Sequence, residues 1–368
     1  MAIAPRSILP LLLCVLIASF HSSSSSDVKL GYWLASRPIV SSANLHLYTH
    51  LTYAFAQLDP SFQISPQPDD NGNIAQFTPA ARALNPAIVT LIAIGGGGSN
   101  STRFAEMAAA PSSRATFINS SIALARANGF HGLDLDWEFP QSQREMSDLA
   151  ALWTEWRAAI QAEATATSRA ALLLTAAVYY RATVQNVGAG TYPVDAVNAN
   201  LDWVGLMAFD YHGAWNPTTV GPHTALYNPD SSVNTDAGVT SWLGQGLRAD
   251  RAVLGLAMYG RSWILASNES TGIGAAAVGV PADSTPFFRD IVSFIRDNNA
   301  TAVYDNTTVT AYCFGGGVWI GFDSPVSIAT KVEYLKSRAL KGYFFWTAGY
   351  DSSTGALANA ASATLDSR

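Results

Sequence analysis

The chain has 368 residues, 49% of them hydrophobic and only 13% charged, a balance that supports a sizeable core and excludes an intrinsically disordered chain. A formal net charge of −6 argues against a nucleic-acid partner, which would need a basic face for phosphates. Two cysteines exclude a disulfide framework and a CxxC-type zinc site, and neither a metal nor another cofactor is expected.

The chain opens on an address. Residues 1–26 carry Arg6, an apolar run from Ile8 to Ala18, then His21 and the serines Ser22 to Ser26, the pattern of a secretory signal peptide. The apolar run is too short to span a bilayer, and none of 18 residues or more follows it, so no membrane association is expected after its removal. Five Asn-x-Ser/Thr sequons, at Asn100, Asn119, Asn268, Asn299 and Asn306, are candidate glycosylation sites and fit a secreted protein, extracellular or vacuolar. Asn216 is excluded by Pro217.

Eight short apolar runs follow, at 28–34, 50–57, 90–94, 132–137, 172–178, 203–209, 252–258 and 342–346. Most are unbroken rather than alternating, as parallel strands covered on both faces require. Helical patterns such as 113–128 and 145–165 fall between them. The order predicts an α/β fold, a (β/α)8 TIM barrel. A doubly wound sheet is the alternative, without its dinucleotide fingerprint. Residues 263–326 interrupt the rhythm: they are rich in Ser, Thr, Gly and Asn, with strand-like pieces at 301–304 and 318–322. The interval is too long for a βα loop. It is expected to be an inserted α+β subdomain after strand seven, dividing the barrel into residues 27–262 and 327–368 and walling the cleft.

Within the fourth run, Asp134, Asp136 and Glu138 alternate with Leu135 and Trp137. Alternate residues of a strand share one face, so the three carboxyls line one side over roughly 13 Å. Pointing into a barrel, they cannot all ionise cheaply, and Glu138 at the mouth is expected to stay protonated, as a general acid must. A solvated acidic strand would not alternate with Trp137. Carboxylates also suit Ca²⁺ or Mg²⁺, but no Asp-x-Asp-Gly-type loop is present. The Gly95–Gly98 run is not followed by Gly-Lys-Ser/Thr and reads as close backbone packing rather than a phosphate cradle.

Gly132-Leu-Asp-Leu-Asp-Trp-Glu138 resembles the DGxDxDxE signature of the family 18 glycoside hydrolases, the chitinases and their relatives. Leu30-Gly-Tyr-Trp33, Leu51-Thr-Tyr-Ala-Phe55, Ile94-Gly-Gly96, Met207-Ala-Phe-Asp-Tyr211, Leu254-Gly-Leu-Ala-Met-Tyr-Gly-Arg261 and Gly342-Tyr-Phe-Phe-Trp346 resemble its other strand motifs in order. The likeness covers the mature chain and is greatest to plant class V chitinases. Two positions depart from the pattern: His131 stands where the family has its first Asp, and Phe209 where it usually has a Tyr that contacts the substrate's N-acetyl group.

The resemblance implies a mechanism in which the substrate's own acetamide is the nucleophile. Glu138 would be acid and then base, Asp136 would accept the acetamido N–H, and Asp134 would share a proton with Asp136. Trp346 would floor the sugar at the cleavage point and Asp210 would hydrogen-bond it. Tyr32, Phe55, Met207 and Tyr259 match cleft positions that could equally fill the barrel. Tyr211, two residues beyond Phe209 on the same strand face, would be placed to supply a substitute hydroxyl. The implied partner is chitin or its oligosaccharides, cut by a monomer. The alternative is a chitinase-like lectin or storage protein that binds sugar without cutting it, since this fold hosts both.

Overall fold

A computed structural model describes residues 27–37, 44–184 and 190–367; the expected signal peptide lies outside the described residues. Seven barrel strands come first: β1 Val28–Leu34, β2 His50–Leu58, β3 Val89–Gly95, β4 Gly132–Asp136, β5 Leu173–Tyr179, β6 Trp203–Met207 and β7 Ala252–Ala257. A second sheet follows, of β8 Arg261–Leu265, β9 Ala277–Gly279, β10 Thr301–Asp305, β11 Thr310–Gly315 and β12 Val318–Phe322, and the last strand is β13 Gly342–Trp346. The barrel runs β1-β13-β7-β6-β5-β4-β3-β2, all parallel, and β2 returns to β1 to close it. Helices surround it, among them α1 Asn73–Leu84, α2 Ser101–Ala109, α3 Pro111–Ala127 and α4 Gln143–Thr167. The expected (β/α)8 barrel is the observed fold.

Side-chain alternation divides the core into two layers. Val28, Leu30, Tyr32, Leu91, Ala93, Trp203, Val253 and Phe344 fill the barrel interior. Their neighbours Leu133, Leu135, Leu174, Val204, Leu254 and Phe345 face outward into the layer shared with the helices. Both faces being apolar, the strands carry the unbroken hydrophobic runs that parallel pairing favours.

Strand ends deviate where function begins. β6 stops at Met207, two residues before the expected 209, because the Ala208 and Phe209 amides turn back to the Leu206 and Met207 carbonyls at 2.8 and 2.9 Å. Asp210 then takes a left-handed φ of 62°. Tyr211 therefore does not continue the strand face of Phe209, as the sequence pattern predicted. α4 starts at Gln143 because the Ser142 hydroxyl accepts from the Glu145 amide at 3.2 Å, capping it six residues past the end of β4.

The second sheet has the antiparallel order β9-β8-β12-β11-β10 and begins at Arg261, four residues after β7 ends. The indole of its buried Trp263 packs against Trp319 and donates to the Asn216 carbonyl at 2.9 Å. That bond ties the sheet to the loop after β6, on the carboxyl side of the barrel.

Candidate active site

Three carboxyls rise along β4. Asp134 lies between Ala93 and Thr175 in the strand register, and Asp136 between Gly95 and Ala177. Tyr32 and Thr175 donate to the two Asp134 oxygens at 2.7 and 2.6 Å, so this deepest acid is satisfied. Asp136 is 3% exposed, and its Oδ1 has no hydrogen-bond partner among the described residues. Space around this column is tight, most of all at Gly95. A Cβ on Gly95, whose φ is 118°, would come within 2.1 Å of the Asp136 carbonyl, and one on Gly97 within 3.3 Å of Glu138 Oε1.

Burial drives the proton affinities upward. It raises the Asp134 carboxyl against the pull of its two hydrogen bonds. Burial, then the charges of Glu138 and Asp134, push Asp136 well above the ordinary carboxylate range. Burial and the Asp210 charge raise Glu138 to about 7, so it keeps a proton near neutral pH.

Two cavities meet at Glu138. One, of about 210 Å³, is lined by Tyr32, Asp136, Met207, Phe209, Asp210, Tyr259 and Trp346, together with Gly97 and Phe344. The other, of about 440 Å³, adds Phe139, Tyr179, Tyr180, Tyr211 and Trp215. The structure thus brings Asp136, Glu138, Met207, Phe209, Asp210, Tyr211, Tyr259, Tyr32 and Trp346 to one cleft. Phe55 reaches it through Trp346, against which its ring stacks at 5.6 Å. The Tyr211 ring lines the larger cavity, but its hydroxyl is bonded to Thr235 Oγ1 at 3.0 Å and is not free to replace the missing one at 209. His131 sits at the other end of β4, where Nδ1 accepts from the Thr90 amide at 3.1 Å, far from the carboxyls.

Several contributors had no role assigned from the sequence, Arg261 at the end of the 254–261 motif among them. Arg261 holds Asp210 Oδ1 with Nε and Nη2, each at 2.8 Å. Burial disfavours the Asp210 carboxylate, but His223 and Arg261 outweigh it and hold its pKa below the ordinary value. Arg261 also lies 5.3 Å over the ring of Trp215, which is 61% exposed and flanks the larger cavity. A tryptophan in a Gly- and Pro-rich loop was the available signal. The five sequon asparagines are all exposed, and Asn100 accepts from the Arg103 amide as the cap of α2.

The model of glycosyl hydrolases family 18 matches residues 19–351. The chain belongs to that family. A class V chitinase of Arabidopsis thaliana is 43% identical over 94% of this chain and 91% of its own. Among solved structures, a class V chitinase mutant from Nicotiana tobaccum in complex with NAG4 superposes with a TM-score of 0.88 at 39% identity, covering 93% of this chain and 99% of that one. A chitinase-like agglutinin from Robinia pseudoacacia reaches a TM-score of 0.84 at 38% identity over 92% and 99%. Structures like this one therefore include proteins named for cutting and for agglutination alike.

Proposed function

We propose that this chain is a secreted chitinase hydrolysing β-1,4 bonds between N-acetylglucosamine units by retaining, substrate-assisted catalysis. The observation that carries the reading is Glu138, whose proton affinity burial raises to about 7, lining one cleft with a buried Asp136 whose Oδ1 has no partner among the described residues. A binding protein has no use for a proton donor held at about 7 by burial.

In the first step the acetamide N–H donates to Asp136, which turns the carbonyl oxygen toward its own anomeric carbon. A bond forms from that oxygen to the carbon, the glycosidic bond breaks, and the Glu138 proton passes to the leaving oxygen. The resulting oxazolinium cation lies beside Asp136, whose carboxylate offsets the charge. In the second step Glu138 takes a proton from water, the hydroxide oxygen attacks the same carbon, and the acetamide oxygen leaves it. Asp134, held by Tyr32 and Thr175, is placed to share a proton with Asp136 as charge moves along the column. Trp346 supplies an apolar face for the reacting sugar, Asp210 a hydrogen-bond partner, and Trp215 a stacking face in the larger cavity.

The signal-like leader and the exposed sequons support secretion of a glycosylated protein. Glu138→Gln tests the reading: the amide keeps the shape but cannot donate a proton, so turnover of a chitin hexamer should fall roughly 10²–10⁴-fold while binding persists. Cleavage at more than about a tenth of the wild-type rate would remove Glu138 from the role of acid.

A further inference from the structure

His223 belongs to the loop after β6 and is 1% exposed. Neither ring nitrogen has a hydrogen-bond partner among the described residues, and Nδ1 stops 3.7 Å from Asp210 Oδ1. That separation is too long for a hydrogen bond. A buried imidazole left unpartnered is costly and calls for a reason. Its place is fixed: the ring lies 5.1 Å from that of Tyr259, and the His223 carbonyl accepts from the Tyr211 amide at 3.0 Å. The charged and titratable groups facing it are Asp210 and His212 from its own loop, Tyr259 and Arg261 from the β7–β8 junction, and Asp323 after β12. Arg261 is already committed to Asp210, and Asp323 to the buried Lys331 at 2.6 Å. Asp210 is thus the facing anion with which a protonated His223 would form a closer ion pair than the present 3.7 Å separation allows.

We propose that protonation of His223 draws the Asp210 carboxylate out of the sugar site, which makes His223 a positioning residue that sets the acid-side limit of substrate binding. The inference rests on the cleft being a chitin site. A shift of about 1 Å turns the 3.7 Å gap into a charge-assisted hydrogen bond. Burial keeps the imidazole neutral until the pH falls below its ordinary value of 6.5, against the pull of Asp210. Above that window the neutral imidazole leaves Asp210 in its pair with Arg261 at the cavity wall; below it a second cation competes with the sugar for the carboxylate.

The probe is chitin tetramer, titrated calorimetrically into Glu138→Gln protein, which does not consume it, with His223 present or replaced by Asn. Binding should weaken about three- to tenfold between about pH 7 and pH 5 with His223, and change less than about 1.5-fold with His223→Asn. Equal weakening in both proteins overturns the proposal. If the Asn variant does not fold, His223→Gln keeps a polar, non-titrating tip and is read in the same way. A wild-type protein that binds with this pH dependence and never cleaves would overturn the hydrolytic reading and leave the role of His223 standing. Cleavage whose pH profile is merely scaled down by His223→Asn would overturn the role of His223 alone.

Discussion

Replacing Phe209 by Tyr adds one hydroxyl to a ring that lines both cavities beside Glu138 and Asp210. The ring is held edge-on against Tyr259 and Phe344, with centroids 6.1 and 6.0 Å away, so the new group enters a fixed frame and loses little entropy. In the family the tyrosine at this position contacts the N-acetyl group, whose carbonyl oxygen must be aimed at the anomeric carbon. A neutral hydrogen bond is worth about 0.5–1.5 kcal/mol net, which predicts a rise in kcat of about 2- to 12-fold for Phe209→Tyr. KM should move less, because the ring presents the same apolar face to the cavity with or without the hydroxyl. The control is Tyr211→Phe. Its hydroxyl is spent on Thr235, so removing it should leave kcat within about twofold while lowering stability by about 1 kcal/mol. The assay is initial-rate cleavage of a chitin hexamer at fixed pH, with denaturant unfolding alongside. An unchanged kcat in Phe209→Tyr with a large loss in Tyr211→Phe would refute the reasoning and assign the hydroxyl to Tyr211.

Other residues give independent readings. A general acid must enter protonated, so kcat/KM should fall about tenfold per pH unit as pH rises through about 7, and Asp210→Asn should move that limb to lower pH because repulsion is lost while burial remains; pH–rate profiles decide it, and an unmoved limb contradicts it. Trp215→Ala removes an exposed aromatic face beside the larger cavity, which the proposed function assigns to sugar stacking, so KM for the hexamer should rise about 2- to 12-fold with kcat held. Lys331→Met leaves the Asp323 carboxylate buried without its cation, and urea unfolding at neutral pH should show a loss of about 3–5 kcal/mol.

The barrel was legible because its chemistry is local. Parallel strands buried on both faces must be apolar throughout, so 28–34 and 342–346 could be bounded to the residue. The acid column was legible for the same reason, since period-two spacing puts Asp134 and Asp136 inside and Leu135 outside. What escaped lies in loops and long-range pairing. The end of β6 is set by backbone turns at Ala208 and Phe209 and by the left-handed Asp210, none of which an apolar run can signal. Asp210 is held by Arg261, 51 residues later, and that contact exists only once β7 has been laid beside β6. Phe209 was legible as a departure, whereas the fate of the Tyr211 hydroxyl needed the position of Thr235.

On the proposed mechanism the substrate's acetamide, and not a protein carboxylate or a single water displacement, opens the glycosidic bond. Proton NMR during the first turnovers of a chitin hexamer tests it most directly, because two displacements at one carbon conserve its configuration. The new reducing ends should appear as the β-anomer and equilibrate only later, and an oligomer deacetylated at the reacting sugar should stay intact. Reducing ends born as the α-anomer would contradict the mechanism.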